Sequence, residues 1–275
     1  MMAQPLPKTA KQWNVTGSEG PESLVFSEQP VPEIGDTQVW VKSKFLSMLN
    51  LRKSSLDVPL TLTIVQGAAI NASLPINKSA FTVQHADNDQ FRDILVPEGK
   101  YPWSVKPDVV PGSDGAGTVL AIGKHVTRFK PGDKVVTIIN QQFLSGSMTA
   151  RSLESGLGAS LDGTFRTVGA FSEEGLVAIP DPLTFVEAAT LSCAGITAWN
   201  ALFGLQGKKV SVGDWVLTQG TGGVSLFAVQ LARSVGARVI ATTSSSEKAQ
   251  ILRKPGANQS SITMRPLSGV RQRRH

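Results

Sequence analysis

Apolar and polar residues alternate in short runs along the first part of the chain. Leu24-Val25-Phe26 and Gln38-Val39-Trp40-Val41-Lys42 are parted by Pro30 and Pro32, and Gly35-Asp36 supplies a turn. Period-two runs bounded by turn residues predict antiparallel strands. Residues 114–136 continue the pattern, with a glycine-bearing strand over 115–123, then a turn and another strand over 126–136. Together these predict a small β-barrel. Residues 140–170 are rich in Gly, Ser and Thr and read as a long loop region, after which Ala170-Phe171 and 176–179 resume strand character until Pro180 and Pro182.

The period then changes. Thr184 followed by Glu187 is a capping box, predicting a helix from there through about Leu205. Trp215 to Thr218 is a short apolar strand. Behind it come Gly220 and Gly222, then Val224, Phe227, Ala228 and Leu231 at helical spacing, with Gly236 as the stop. Residues 238–242 repeat the apolar strand, and 247–254 form a second helix ended by Pro255-Gly256. Strand, helix, strand, helix predicts a parallel sheet, but only two strands are supplied, and 260–275 have no apolar period. The expected architecture is α/β with a β-barrel: a barrel domain over 1–180, an incomplete doubly wound domain over 181–258, and a disordered tail over 259–275.

Composition narrows the class. The chain has 275 residues, 41% of them apolar, enough for two cores. One cysteine excludes a disulfide framework and suits a reducing compartment. The first residues lack the apolar core of a signal peptide, and the most apolar run, 58–76, is interrupted by Gln66, Asn71 and Pro75, which is too polar to span a bilayer. A cytoplasmic protein with no membrane partner is expected. Four of the six net positive charges are Arg265, Arg271, Arg273 and Arg274. The body is nearly balanced, which argues against a nucleic-acid partner.

The chemistry centres on the glycine turn. Gly220, Thr221, Gly222, Gly223, Val224 and Ser225 join a strand to a helix, the plan by which helix N–H groups receive a phosphate. Ser225 stands where a third glycine is usual, and an ordinary tight turn is the plain alternative. The three histidines, His85, His125 and His275, share no spacing, and no Ser/His/Asp or paired-carboxylate constellation is readable.

Several motifs in this order resemble the medium-chain dehydrogenase/reductase superfamily, nearest its zinc-independent, quinone-oxidoreductase-like branch, often labelled zinc-type alcohol dehydrogenase-like. They are Val109-Val110-Pro111-Gly112-Ser113-Asp114-Gly115-Ala116-Gly117, Phe129-Lys130-Pro131-Gly132-Asp133-Lys134-Val135, Leu191-Ser192-Cys193-Ala194-Gly195-Ile196-Thr197-Ala198-Trp199, the glycine turn, and Ala241-Thr242-Thr243-Ser244-Ser245. The resemblance implies a GroES-like barrel followed by a Rossmann domain with the active site in the cleft between them, a small-molecule substrate, and a homodimer in a full-length parent.

It also implies roles. Asn50 and Asp93 match positions lining the nicotinamide end of the cleft, and Thr197 a cofactor contact. Tyr101 matches a tyrosine that donates a proton in related enoyl-thioester reductases, with packing beside Pro102 and Trp103 as its alternative. The second strand ends in Thr242, Thr243 and Ser244 with Lys248 nearby and no acid before Glu247, so NADP(H) is expected rather than NAD. Thr242 to Ser246 read equally as a cap for the next helix.

Zinc is not expected. The family's Gly-His-Glu appears as Gly112-Ser113-Asp114, Asn50 occupies the region of the first cysteine, and Cys193 alone cannot hold the metal. Two stretches depart from the family. Residues 51–90 interrupt it between Asn50 and Phe91-Arg92-Asp93-Ile94, as an unspliced intron would, or a genuine surface insertion. Beyond Asn258 the sequence is compatible with a frameshift. The expectation is an NADPH-dependent, zinc-independent reductase of a quinone, enone or similar activated carbonyl or alkene. The alternative is a truncated, inactive product with at most residual cofactor binding, and a zinc alcohol dehydrogenase is disfavoured.

Overall fold

The computed structural model describes residues 6–43, 91–205, 207 and 209–262. Asn50, the insert at 51–90 and everything after Ile262 lie outside the described residues. The chain divides into two compact units after Cys193.

In the first unit, β1 (Thr9–Val15) and β2 (Leu24–Pro30) form an antiparallel pair. Trp13 lies opposite Phe26, their ring centroids 5.2 Å apart. Five more strands make an antiparallel sheet: β3 (Gln38–Ser43), β4 (Ala116–Ile122), β5 (Lys134–Thr137), β6 (Val168–Ser172) and β7 (Leu176–Ala178), in the order β6-β3-β4-β5-β7. The alternation of β3 buries Val39 and Val41, which meet Val119, Val135, Phe171 and Leu176 in one core cluster. A short helix, α1 (Phe91–Leu95), precedes a second cluster of Val15, Val96, Val109 and Ala159. The loop expected over 140–170 is not wholly irregular. It contains α2 (Ala150–Leu153), capped by the Thr149 hydroxyl, and Asn140 bridges Gly156.

Gly117 sits where β4 passes close to β3, and a Cβ there would run into the Lys42 carbonyl. The backbone cannot yield without breaking the pairing of Ser43 with Gly117. Gly117→Val is therefore expected to cost the first unit about 3 kcal/mol or more, read as a lowered urea midpoint.

The capping box is present: Thr184 Oγ1 accepts from the Glu187 N–H, and the Glu187 carboxylate accepts from the Thr184 N–H. It opens α3 (Phe185–Ala189), but the single helix expected through Leu205 is broken. A π-helical turn, Leu191–Gly195, follows, then α4 (Ile196–Phe203), which stops before Gly204. Hydroxyls disturb the ladder at this point. Thr190 Oγ1 donates to Glu187 O at 2.7 Å, and Ser192 Oγ donates to Thr137 O on β5 at 2.7 Å. Ala188 and Ala189 of α3 pack with Ala116, Val136 and Ile179, so α3 lies in the first compact unit, which runs to Cys193.

The second unit is a parallel sheet of order β10-β9-β8: β8 (Trp215–Gln219), β9 (Arg238–Thr243) and β10 (Gln259–Ile262). α5 (Gly223–Ser234) buries Phe227, Val229 and Leu231, and α6 (Ser246–Arg253) buries Ala249 and Leu252. The disordered tail expected from 259 therefore starts too early, and the sheet has three strands rather than two. β10 takes backbone partners from β9, Gln259 opposite Ile240 and Ile262 opposite Thr243, and needs no apolar period to do so. Asn258 leads into it, its Oδ1 accepting from the Val239 N–H at 2.9 Å. Among the described residues no helix is long and apolar enough to cross a membrane.

Candidate functional site

The glycine turn is built as a strand-to-helix loop. Gly220 leaves β8 with φ 81°, a left-handed conformation that favours glycine, and its N–H donates to Thr242 O at 2.8 Å, tying the turn to the end of β9. Gly222 is the N-cap of α5, with φ −72° and ψ 172°, and no side chain caps the helix. A Cβ at Gly220 or at Gly222 would meet nothing within 4 Å. Among the described residues nothing therefore stands against these two glycines at the positive end of a twelve-residue helix. Ser225 turns its hydroxyl back to Gln219 O at 2.8 Å, closing the turn where a third glycine was expected. Thr221 and Gly223 are half-buried, and Val224 is 41% exposed. This arrangement fits a dinucleotide's pyrophosphate: N–H donors, room for the phosphates, and no competing carboxylate among the cap residues.

The residues expected at the ribose divide by strand alternation. Thr243 shares its face with Val239 and Ala241 and is buried. Thr242 is half-buried, Oγ1 donating to Thr218 O at 3.4 Å. Ser244 is exposed and Lys248 half-buried. Ser245 is the N-cap of α6, its hydroxyl accepting from the Lys248 N–H at 3.2 Å. The segment does serve as a cap. Thr197 is exposed in the first turn of α4.

A second cluster lies within the first unit. Asp93 on α1 is 5% exposed. Burial pushes its carboxyl up to about 6, against the pull of the Arg92 charge and a hydrogen bond from the Gly112 N–H. Gly112 provides that N–H from a backbone with φ 89°. The Tyr101 ring borders the Val15, Val96, Val109 and Ala159 cluster, meets Trp103 edge-on at 5.2 Å, and carries the Arg92 guanidinium 5.2 Å from its centroid. Sequence reasoning quoted Arg92 but assigned it nothing; the adjacent Arg-Asp pair was the available signal.

The Gly112–Gly115 loop is held from below by Thr137, which sequence reasoning also missed. Thr137 Oγ1 lies 2.9 Å from Ser113 O and accepts from the Gly115 N–H at 3.1 Å. Ser113, where the family's zinc-binding histidine would stand, is fully buried and donates to Asp114 Oδ1 at 3.2 Å. The Cys193 thiol is pushed up to about 12 by burial, then by the Asp114 and Asp93 charges. Among the described residues no three His, Cys, Asp or Glu side chains gather as a metal site.

Residues 73–181 match the alcohol dehydrogenase GroES-like domain. The chain is 44% identical over 167 residues to a zinc-type alcohol dehydrogenase-like protein of Schizosaccharomyces pombe, covering 61% of this chain and 48% of that one. It is 34% identical over 168 residues to a quinone oxidoreductase of Pseudomonas aeruginosa, covering 61% and 45%. An alcohol dehydrogenase structure from Sinorhizobium meliloti superposes with a TM-score of 0.70 at 32% identity, over 93% of this chain and 63% of that one. The chain thus spans about half the length of these curated relatives. The first unit is similar to the GroES-like fold and the second to the first half of a Rossmann fold.

Proposed function

We propose that the chain, which is similar to medium-chain dehydrogenases and reductases, binds NADP(H) at its glycine turn and serves the zinc-independent reduction of a quinone, enone or similar activated carbonyl or alkene. One observation carries the reading: the uncapped, glycine-lined start of α5, where an added Cβ meets nothing. The N–H groups there would hold the pyrophosphate, and Thr242, Ser244 and Lys248 would face the ribose end. Bound there, the cofactor would supply a hydride. The protein's part is orientation and the proton: Tyr101 as general acid, with Asp93 and Asn50 lining the reacting end. Ser113, standing where the family's zinc-binding histidine would be, supports a mechanism without zinc. Relatives named quinone oxidoreductase and zinc-type alcohol dehydrogenase-like support the reaction class. A cytoplasmic location, a small-molecule substrate and a homodimeric parent complete the proposal.

Titration of the purified chain with NADPH, followed by cofactor fluorescence, tests it. Saturable binding is the expected result, and no binding at millimolar cofactor removes the reading for this chain. Lys248→Ala is expected to weaken NADPH by about tenfold or more, the worth of one charge-assisted hydrogen bond, while leaving NADH within about twofold. Equal losses for both cofactors place Lys248 away from the 2′-phosphate.

A second reading, an inactive product, is favoured by one observation. β8 is an edge strand of the three-stranded sheet, with Trp215 and Leu217 exposed on it. An apolar open edge is an aggregation liability. Concentration-dependent aggregation of the purified chain without cofactor binding is its signature. Stoichiometric zinc on metal analysis would instead restore the alcohol dehydrogenase reading.

A further inference from the structure

Two neighbouring residues of α1 carry buried polar atoms that lack a hydrogen-bond partner: Nε and Nη1 of Arg92, and Oδ1 of Asp93. Such atoms lose water without recovering a bond, so their presence asks for an explanation beyond stability. Consecutive helix positions point apart, and these two side chains do different things. Asp93 reaches the Gly112 N–H. The Arg92 guanidinium carbon sits over the Tyr101 ring, 5.2 Å from its centroid, and the chain at Gly156 is also close, a Cβ there standing 3.6 Å from Nη2 in ordinary contact.

The charges around Asp93 are few. Arg92 is on its own helix. From the π-helical turn Cys193 faces it as a neutral thiol, and Asp114, from the loop before β4, is within electrostatic reach of that thiol. Arg92 is the positive charge acting on Asp93, and it is also the group that touches Tyr101.

We propose that Arg92 is a positioning residue of the candidate site: through its charge on Asp93 and its plane against the Tyr101 ring, it couples the ionisation of the buried carboxylate to the setting of the phenol. When Asp93 carries its charge, the guanidinium is drawn toward the carboxylate; when Asp93 is neutral, the guanidinium is left to the ring. The functional meaning rests on the reading of Tyr101 as the proton donor of the reduction. The coupling itself does not.

Tyr101 is the sole tyrosine of the chain, so protein labelled with ¹³C-tyrosine gives a single ring signal that needs no assignment. Titrated through the acid-to-neutral range without cofactor, the wild-type signal is expected to move with an inflection near 6, the Asp93 ionisation. Asp93→Asn removes the inflection. Arg92→Gln raises it by about one pH unit, because the charge that favours the carboxylate is gone. Arg92→Lys keeps the charge and loses the plane, so the inflection stays within a few tenths of a unit while the ring signal itself shifts. A wild-type ring signal that is flat across the range overturns the proposal, as does an inflection that Arg92→Gln leaves in place. Where Arg92→Gln does not fold, an Arg92→Lys spectrum identical to wild type overturns it. NADPH titration is a separate arm: its failure in the wild type removes the reductase reading and leaves the coupling standing or falling on the ring signal alone.

Discussion

Gly222→Val is expected to abolish NADPH binding while leaving the fold intact. Gly222 has φ −72° and ψ 172°, extended backbone that valine adopts readily. Its Cβ would meet nothing within 4 Å among the described residues. The same open space is what a phosphate needs to come within hydrogen-bond distance of the α5 N–H groups. Two lost charge-assisted hydrogen bonds, each worth about 1.5–3 kcal/mol, weaken binding at least about 100-fold. Gly222 is half-buried and caps α5, so the unfolding free energy should fall by no more than about 1 kcal/mol, the scale of an N-cap substitution. Gly220→Val is the contrast: φ 81° is strained for valine, so it loses stability and binding together. Fluorescence titration beside thermal melting separates the two. Undiminished NADPH affinity in Gly222→Val means that the phosphates lie elsewhere.

Asp93→Asn should stabilise the first unit at neutral pH. The folded carboxyl is raised from 3.8 to about 6. Between those values the unfolded chain has released its proton and the folded chain retains it. Stability therefore falls as pH rises through that window, and the loss is complete above about 6. A shift of about two units is worth ~3 kcal/mol. Asparagine carries no charge to bury and keeps an oxygen for the Gly112 N–H. The variant is expected to be about 2–3 kcal/mol more stable than wild type at pH 7 and equal to it near pH 4, read by urea denaturation. A difference that is the same at both pH values counts against a buried ionised carboxylate. A residue whose removal strengthens the fold is one held for another purpose.

What was legible in the chain was local. Thr184 and Glu187 are three residues apart and satisfy each other, so their pattern needs no knowledge of the rest. The same holds for β8, the glycine turn and α5, where one short stretch supplies strand, turn and helix start. The break in the helix after Ala189 was not legible. Ser192 looks like any small helix residue until its hydroxyl finds the Thr137 carbonyl, 55 positions earlier in the chain. β10 was missed because its polar sequence says nothing while its backbone pairs with β9. In the site, the burial of Thr243 beside a half-buried Thr242 follows from alternation along β9 and was readable in principle. The seat of Arg92 was not, since the Tyr101 ring it lies over comes from beyond its own helix and Gly156 beside it from a distant segment.

The order β6-β3-β4-β5-β7 has a consequence for synthesis. β3 lies between β4 and β6, and its pairing runs from Gln38 opposite Ser172 to Ser43 opposite Gly117. On a ribosome that adds about 5–20 residues per second, β3 waits on the order of ten seconds for its second neighbour. Through that interval Val39 and Val41 have no core to enter, and one edge of the strand stays bare even after β4 arrives. Output of folded protein from this sequence is thus governed by how well the nascent chain is shielded, and a slower ribosome lengthens the exposure.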